Sequence, residues 1–279
     1  MPHADLNLPQ FFADELDYPF AYTRAGAGDV LLLVHGSLCD YRYWRWQFAA
    51  LGQRCRVIAP SLRGYWPGAF QAADPRFSVA QHCQDLVDFI RLHLGGQRVH
   101  LLGHSRGAHV ALEAALAAPD LVRSLILADP GFRIGQEGGT RALLRKTVDA
   151  LQAGNADTAL ESFVDTVNGE GTWRQMVGWF KTMVRDNTGT LLSQINEADL
   201  MFEADRAQQL QCPVLLLGGA NSPARYRVVM DALQARIPHA QRDTIALAAH
   251  GMNLANPRAF NERVARFLSA LNEPGYWPA

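Results

Sequence analysis

In the stretch "LLGHSRGAHVAL", Ser105 stands between two glycines at the point where an apolar run stops and a helical pattern begins. Gly103-His104-Ser105-Arg106-Gly107 has the spacing GxSxG, and a strand followed by a helix is the context in which that spacing presents a nucleophile on a tight, strained turn. A side chain at either glycine would collide with the neighbouring strand or helix. The plainer alternative is that Ser105 merely caps the helix beginning at Arg106.

A serine hydroxyl is a poor nucleophile until a base takes its proton. His250 is the candidate base, because "ALAAHGMNLANP" puts it at the end of the last apolar run, on the edge that also carries Ser105. His82 and His93 fall on a helix, His100 inside a strand, and His3 and His239 near surface segments. His104 adjoins the serine and points elsewhere, and His109 lies one turn into the helix. A tetrahedral intermediate also needs donors. The turn "VHGSLCD" offers the amides of Ser37 or Leu38 to pair with that of Arg106, with His35 and Gly36 holding its shape.

The elements that must position these groups read as follows. Two antiparallel strands are expected near 8–14 and 18–25. Runs apolar on both faces, typical of buried parallel strands, follow as "VLLLVHGS", "RVIAPS", "VHLLGHS", "SLILADP", "PVLLLGGA" and "DTIALAAH". Helical patterns separate most of them. The clearest begins at Ser78, an N-cap with Gln81 placed to complete a capping box. Strand and helix in alternation predict an α/β fold, a mostly parallel sheet covered on both faces. The alternation breaks between 131 and 210, where helices are expected near 139–153, 156–167, 172–186 and 189–200 and no strand is. That segment reads as a helical cap inserted into a core domain formed by 1–130 and 211–279.

Nearly half of the 279 residues are apolar and the formal charge is -1, which favours neither nucleic acid nor an anionic membrane as partner. The N-terminal stretch lacks the basic leader and apolar run of a signal peptide, and no segment has the length of a membrane helix. Cytoplasm is the default expectation. Cys39, Cys55, Cys83 and Cys212 lack metal-ligand spacing and read as reduced core thiols. No HExxH is present, and "GAG" at 26–28 lacks the rest of a dinucleotide site, so no metal or cofactor is expected. The sequence suits a monomer or a homodimer.

Taken together, "LLLVHGS", "VIAPSLRGYWPG", "LLGHSRGAHVAL", "VRSLILADPG" and "AHGMN" resemble, in order and along almost the whole chain, the α/β-hydrolase superfamily. The resemblance implies an eight-stranded sheet with a cap after the sixth strand and a triad in the order Ser, acid, His. It assigns Ser105 as nucleophile, His250 as base, and the Ser37 and Arg106 amides as oxyanion hole. Most relatives keep the acid after the seventh strand, but "LLLGGANSPARY" has none there. Asp129, after the sixth strand, is the choice, because some members use that position. Glu203 and Asp205 are the alternatives; Asp231 lies on an outer helix and Asp243 at the wrong edge.

The expected chemistry is hydrolysis of small, apolar or aryl esters through an acyl-enzyme, with lactone opening and C–C hydrolysis as variants. A ligand sensor on the same fold is the non-enzymatic alternative. Epoxide hydrolases and haloalkane dehalogenases are disfavoured, since their nucleophile is an aspartate. Tyr41, Trp44, Tyr65, Trp66, Phe132, Trp173, Trp179 and Phe202, with Met176, Phe180 and Met201, are expected around the substrate, or else they hold the cap to the core. Arg106 and Arg133 could meet a substrate carboxylate or be paired structurally.

Overall fold

The computed structural model describes residues 8–71, 74, 76–134 and 141–273. An eight-stranded sheet forms its centre. The strands are β1 (Phe11–Ala13), β2 (Phe20–Ala25), β3 (Val30–Val34), β4 (Arg56–Pro60), β5 (Val99–His104), β6 (Val122–Ala128), β7 (Val214–Gly219) and β8 (Gln241–Ile245). They lie in the order β1-β2-β4-β3-β5-β6-β7-β8. β2 runs antiparallel to β1 and β4, and every later neighbouring pair is parallel.

Alternation along the strands explains why they read as unbroken apolar runs. In β3, Val30, Leu32 and Val34 enter one apolar cluster while Leu31 and Leu33 enter another, so each face of the sheet has its own core. Helices α1 (Val79–Asp88), α2 (Arg106–Ala117) and α6 (Ala224–Arg236) contribute to the first cluster, and α7 (Pro257–Ala270) to the second. Between α2 and α6 the chain leaves the sheet after β6 and builds α3 (Arg141–Gln152), α4 (Ala156–Asn168) and α5 (Gly178–Asp186) before returning at β7. Leu144, Leu160, Phe163, Phe180 and Met183 tie this helical segment into the second cluster.

Four details differ from the sequence reading. Arg133–Ile134 pairs in parallel with Met201–Phe202, a ribbon too short to leave a periodic signal. The helix expected over 172–186 is broken at Met176, whose ψ of 135° is extended, leaving Thr172–Gln175 and α5. Ser78 does accept from the Gln81 amide at 3.0 Å, but the Gln81 side chain donates to Asp85 at 2.8 Å instead of returning to the cap. β8 ends at Ile245, so His250 stands on the loop beyond the strand and not at its end.

Candidate active site

Ser105 is the single residue between β5 and α2, with φ 55° and ψ -123°. A left-handed φ at a non-glycine residue is strained and must be held by its surroundings. The Ser105 amide donates to Ala128 O, and the Ser105 carbonyl accepts from Gly131 N and Ala108 N, each at 3.0 Å. The two motif glycines permit the close approach this needs. A Cβ on Gly103 would fall 2.4 Å from Gly107 O, and one on Gly107 would fall 2.2 Å from His35 O. The Ser105 side chain makes no capping hydrogen bond to α2, so its hydroxyl is not a helix cap.

His250 and Asp129 are brought together from positions 121 residues apart in the chain. His250 Nδ1 lies 3.2 Å from Asp129 Oδ2. A carboxylate accepts, so Nδ1 carries the proton and Nε2 keeps the lone pair that a general base needs. Asp129 itself has a left-handed φ of 39°, and its amide donates to Leu217 O on β7 at 2.9 Å. Burial pushes its carboxyl up to about 6, against the Ser222 hydroxyl, which donates to the same Oδ2 at 2.5 Å. Burial likewise holds the His250 imidazole neutral, lowering it to about 3, and the nearby Arg225 charge adds to this. Among the described residues no hydrogen bond joins Ser105 to His250, although both line one cavity; such contacts commonly tighten only with substrate in place.

Three further residues bond to or pack on this pair. Ser222 occupies the loop after β7, where the resembling family usually has its acid, and there it supplies a hydroxyl to Asp129. Tyr226 stacks on the His250 ring at 4.0 Å with the planes 9° apart. His104, expected to point elsewhere, packs on the same ring at 4.4 Å and donates from Nε2 to the His250 carbonyl at 2.8 Å. The imidazole is therefore clamped from several directions.

The turn after β3 lies against the serine. A Cβ on Gly36 would sit 2.9 Å from Ser105 Cβ. Leu38 has φ 60°, and His35 braces the turn by donating from Nδ1 to Gly36 O at 2.9 Å while its Nε2 accepts from Leu62 N at 3.0 Å. Among the described residues the amides of Ser37, Leu38 and Arg106 donate to no protein acceptor. The Arg106 amide is the first of α2, where the helix dipole favours developing negative charge.

Ser105 opens onto two cavities. The larger, of about 380 Å³, is walled by Tyr43, Trp46 and His250 below and by Phe163, Trp179 and Phe180 from the helical segment above. The smaller, of about 40 Å³, lies on the side of Gly131, Phe132 and Tyr226. Of the aromatic residues expected at the substrate, Trp179 and Phe180 line the larger cavity and Phe132 the smaller; Met176 also faces the larger. The others pack instead. Trp44 is buried between His104 and Phe260, and Tyr65 against His35 and Phe77. Tyr41 is buried against Trp66, whose ring carries the Arg42 guanidinium at 3.7 Å. Trp173 is buried under Lys181 and Arg185, Phe202 is buried against Phe132 and His109, and Met201 is exposed.

The Arg106 side chain is committed elsewhere: it holds Glu197 of the helical segment at 2.6 and 2.7 Å and His82 at 2.9 Å. Arg133 lies in the short ribbon. Asp205 pairs with Arg236, and Glu203 is exposed, so neither alternative acid meets His250. Asp231 pairs with Arg242 and Asp243 with Arg263, away from the site. Cys39, Cys55, Cys83 and Cys212 are buried free thiols, raised by burial. Among the described residues no cluster of His, Cys, Asp or Glu could hold a metal ion, and no helix is long and apolar enough to cross a membrane.

Comparison with known proteins gives the family and the fold. A family model described as "Alpha/beta hydrolase family" matches residues 31–263. The (E)-2-((N-methylformamido)methylene)succinate hydrolase of Acinetobacter baylyi is 24% identical over 255 residues, covering 88% of this chain and 93% of that protein. Among solved structures, a thermophilic esterase from Thermogutta terrifontis superposes with a TM-score of 0.79 at 22% identity, over 95% of this chain and all (100%) of that one. The enol-lactonase of Burkholderia xenovorans gives 0.77 at 18% identity, over 93% and 100%. At such identities the structural matches speak for the fold.

Proposed function

We propose, for a chain that belongs to the alpha/beta hydrolase family, that it is a serine hydrolase cleaving small carboxylic esters with an apolar, aryl-sized group. The observation that carries this reading is a strained serine and a carboxylate-bound histidine lining or flanking one apolar cavity. Ser105 Oγ attacks the ester carbonyl while His250 Nε2 takes its proton. Asp129 holds the tautomer and stabilises the imidazolium as it forms. The amides of Ser37 or Leu38 and of Arg106 receive the oxyanion. His250 then returns the proton to the leaving alcohol, and water resolves the acyl-enzyme by the same route.

Burial of the imidazole fits a base that must be neutral at rest. The helical segment over the larger cavity acts as a cap that shields the apolar part of the substrate from bulk solvent. Hydrolysis of 4-nitrophenyl acetate and 4-nitrophenyl benzoate by the wild type and by Ser105→Ala tests the reading. Turnover lost in the variant supports it. Turnover that survives the substitution contradicts it, and so does a wild type that binds such esters without cleaving them, the behaviour of a ligand sensor.

A further inference from the structure

The serine separates two chambers of different chemistry. Ser37 and Ser105 line both, whereas His250 lines only the larger. Since the base must hand its proton to the leaving oxygen, the alcohol portion belongs in the larger chamber and the acyl portion in the smaller. That smaller chamber has room for a short group only.

Its walls are not wholly apolar. Gln194 lines it at 9% exposure, and its Oε1 is buried without a hydrogen-bond partner. A buried acceptor without a partner is costly, and turning the amide over puts its N–H groups in the place of that oxygen. Arg225, half-buried on the first turn of α6, lines the same chamber. Its guanidinium lies 5.6 Å from the Tyr226 ring and donates to the Thr166 carbonyl. Among the described residues it forms no ion pair, its hydrogen-bond partner being the neutral Thr166 carbonyl.

We infer that the smaller chamber is an acyl subsite in which Arg225 and Gln194 receive a carboxylate, so that the preferred substrates are half-esters of short dicarboxylic acids with a bulky apolar alcohol. Arg225 supplies charge-assisted donors, and Gln194, whose unpartnered Oε1 is an acceptor, adds an N–H to the carboxylate by turning its amide over. The inference rests on the proposed serine-hydrolase reading for the orientation of the substrate.

Binding to the Ser105→Ala protein tests the subsite without turnover. Calorimetric titration with benzyl hydrogen succinate and with benzyl butyrate compares two ligands of similar shape that differ in charge. The half-ester is expected to bind about tenfold tighter or more. In Ser105→Ala/Arg225→Gln that preference is expected to fall to about twofold or less, and Arg225→Lys in the same background should restore part of it. Gln194→Leu should reduce it by less than Arg225→Gln does. Equal affinities for the two ligands, or a preference that survives Arg225→Gln, would overturn the subsite. Failure of the wild type to cleave either compound while the preference stands would overturn the hydrolase reading and leave the subsite intact.

Discussion

Asp129→Asn should inactivate the protein and stabilise it at the same time, and the two effects should separate by pH. The carboxyl is fully buried and is raised from its ordinary 3.8 to about 6. Its ionised form is thus held about 3 kcal/mol less favourably in the folded chain than in the unfolded one. A folded pKa above the unfolded value contributes stability that is complete below about 4 and is lost as pH rises through about 6. Asparagine does not titrate, so the variant should gain on the wild type across that window and hold its gain at pH 8. Ser222 and His250 both donate to Oδ2, and an amide cannot serve both donors equally, which takes back about 1 kcal/mol. The net stabilisation expected at pH 8 is about 2 kcal/mol, shrinking to nothing or reversing at pH 4, read from urea denaturation at both pH values. In the same protein kcat on an aryl ester should fall by about 10⁴, because an amide no longer holds Nδ1–H against an acceptor. Activity within tenfold of wild type would remove Asp129 from the triad. A stability difference independent of pH would refute the burial argument.

The remaining expectations concern the groups around that pair. Ser222→Ala removes the hydrogen bond that opposes the rise of the Asp129 carboxyl, so the acid limb of the pH–rate profile, expected near pH 6, should move upward while the plateau falls by about tenfold or less. A limb that stays in place would show that Ser222 does not tune Asp129. Glu197→Gln leaves the nine-tenths-buried Arg106 guanidinium without its carboxylate, and a loss of about 3 kcal/mol is expected in denaturant unfolding. A loss under about 1 kcal/mol would mean that His82 and solvent compensate for the pair.

The strands were legible because a parallel strand buried on both faces is apolar along its length: β3 is so throughout, and β5 and β6 are at 101–102 and 125–128. The elbow was legible because backbone contacts at Gly103 and Gly107 leave no room for a Cβ. The aromatic residues misled for a physical reason: a ring serves a core as well as it serves a substrate, and composition cannot distinguish the two. Trp44 and Tyr65 lie under the site, while Tyr43, two residues from Tyr41 in the same segment, reaches the cavity. Ser222 and Tyr226 escaped notice because their roles depend on how the loop after β7 folds back onto Asp129 and His250. The ribbon at Arg133–Ile134 was invisible because two residues carry no periodicity.

The central claim is that Ser105 is a nucleophile activated by His250. Treatment of the folded protein with a fluorophosphonate, followed by peptide mass spectrometry, tests it most directly. The account predicts one adduct on the peptide containing Ser105, lost in Ser105→Ala and slowed by orders of magnitude in His250→Ala. An adduct at another residue, or equal labelling of the wild type and His250→Ala, would contradict it.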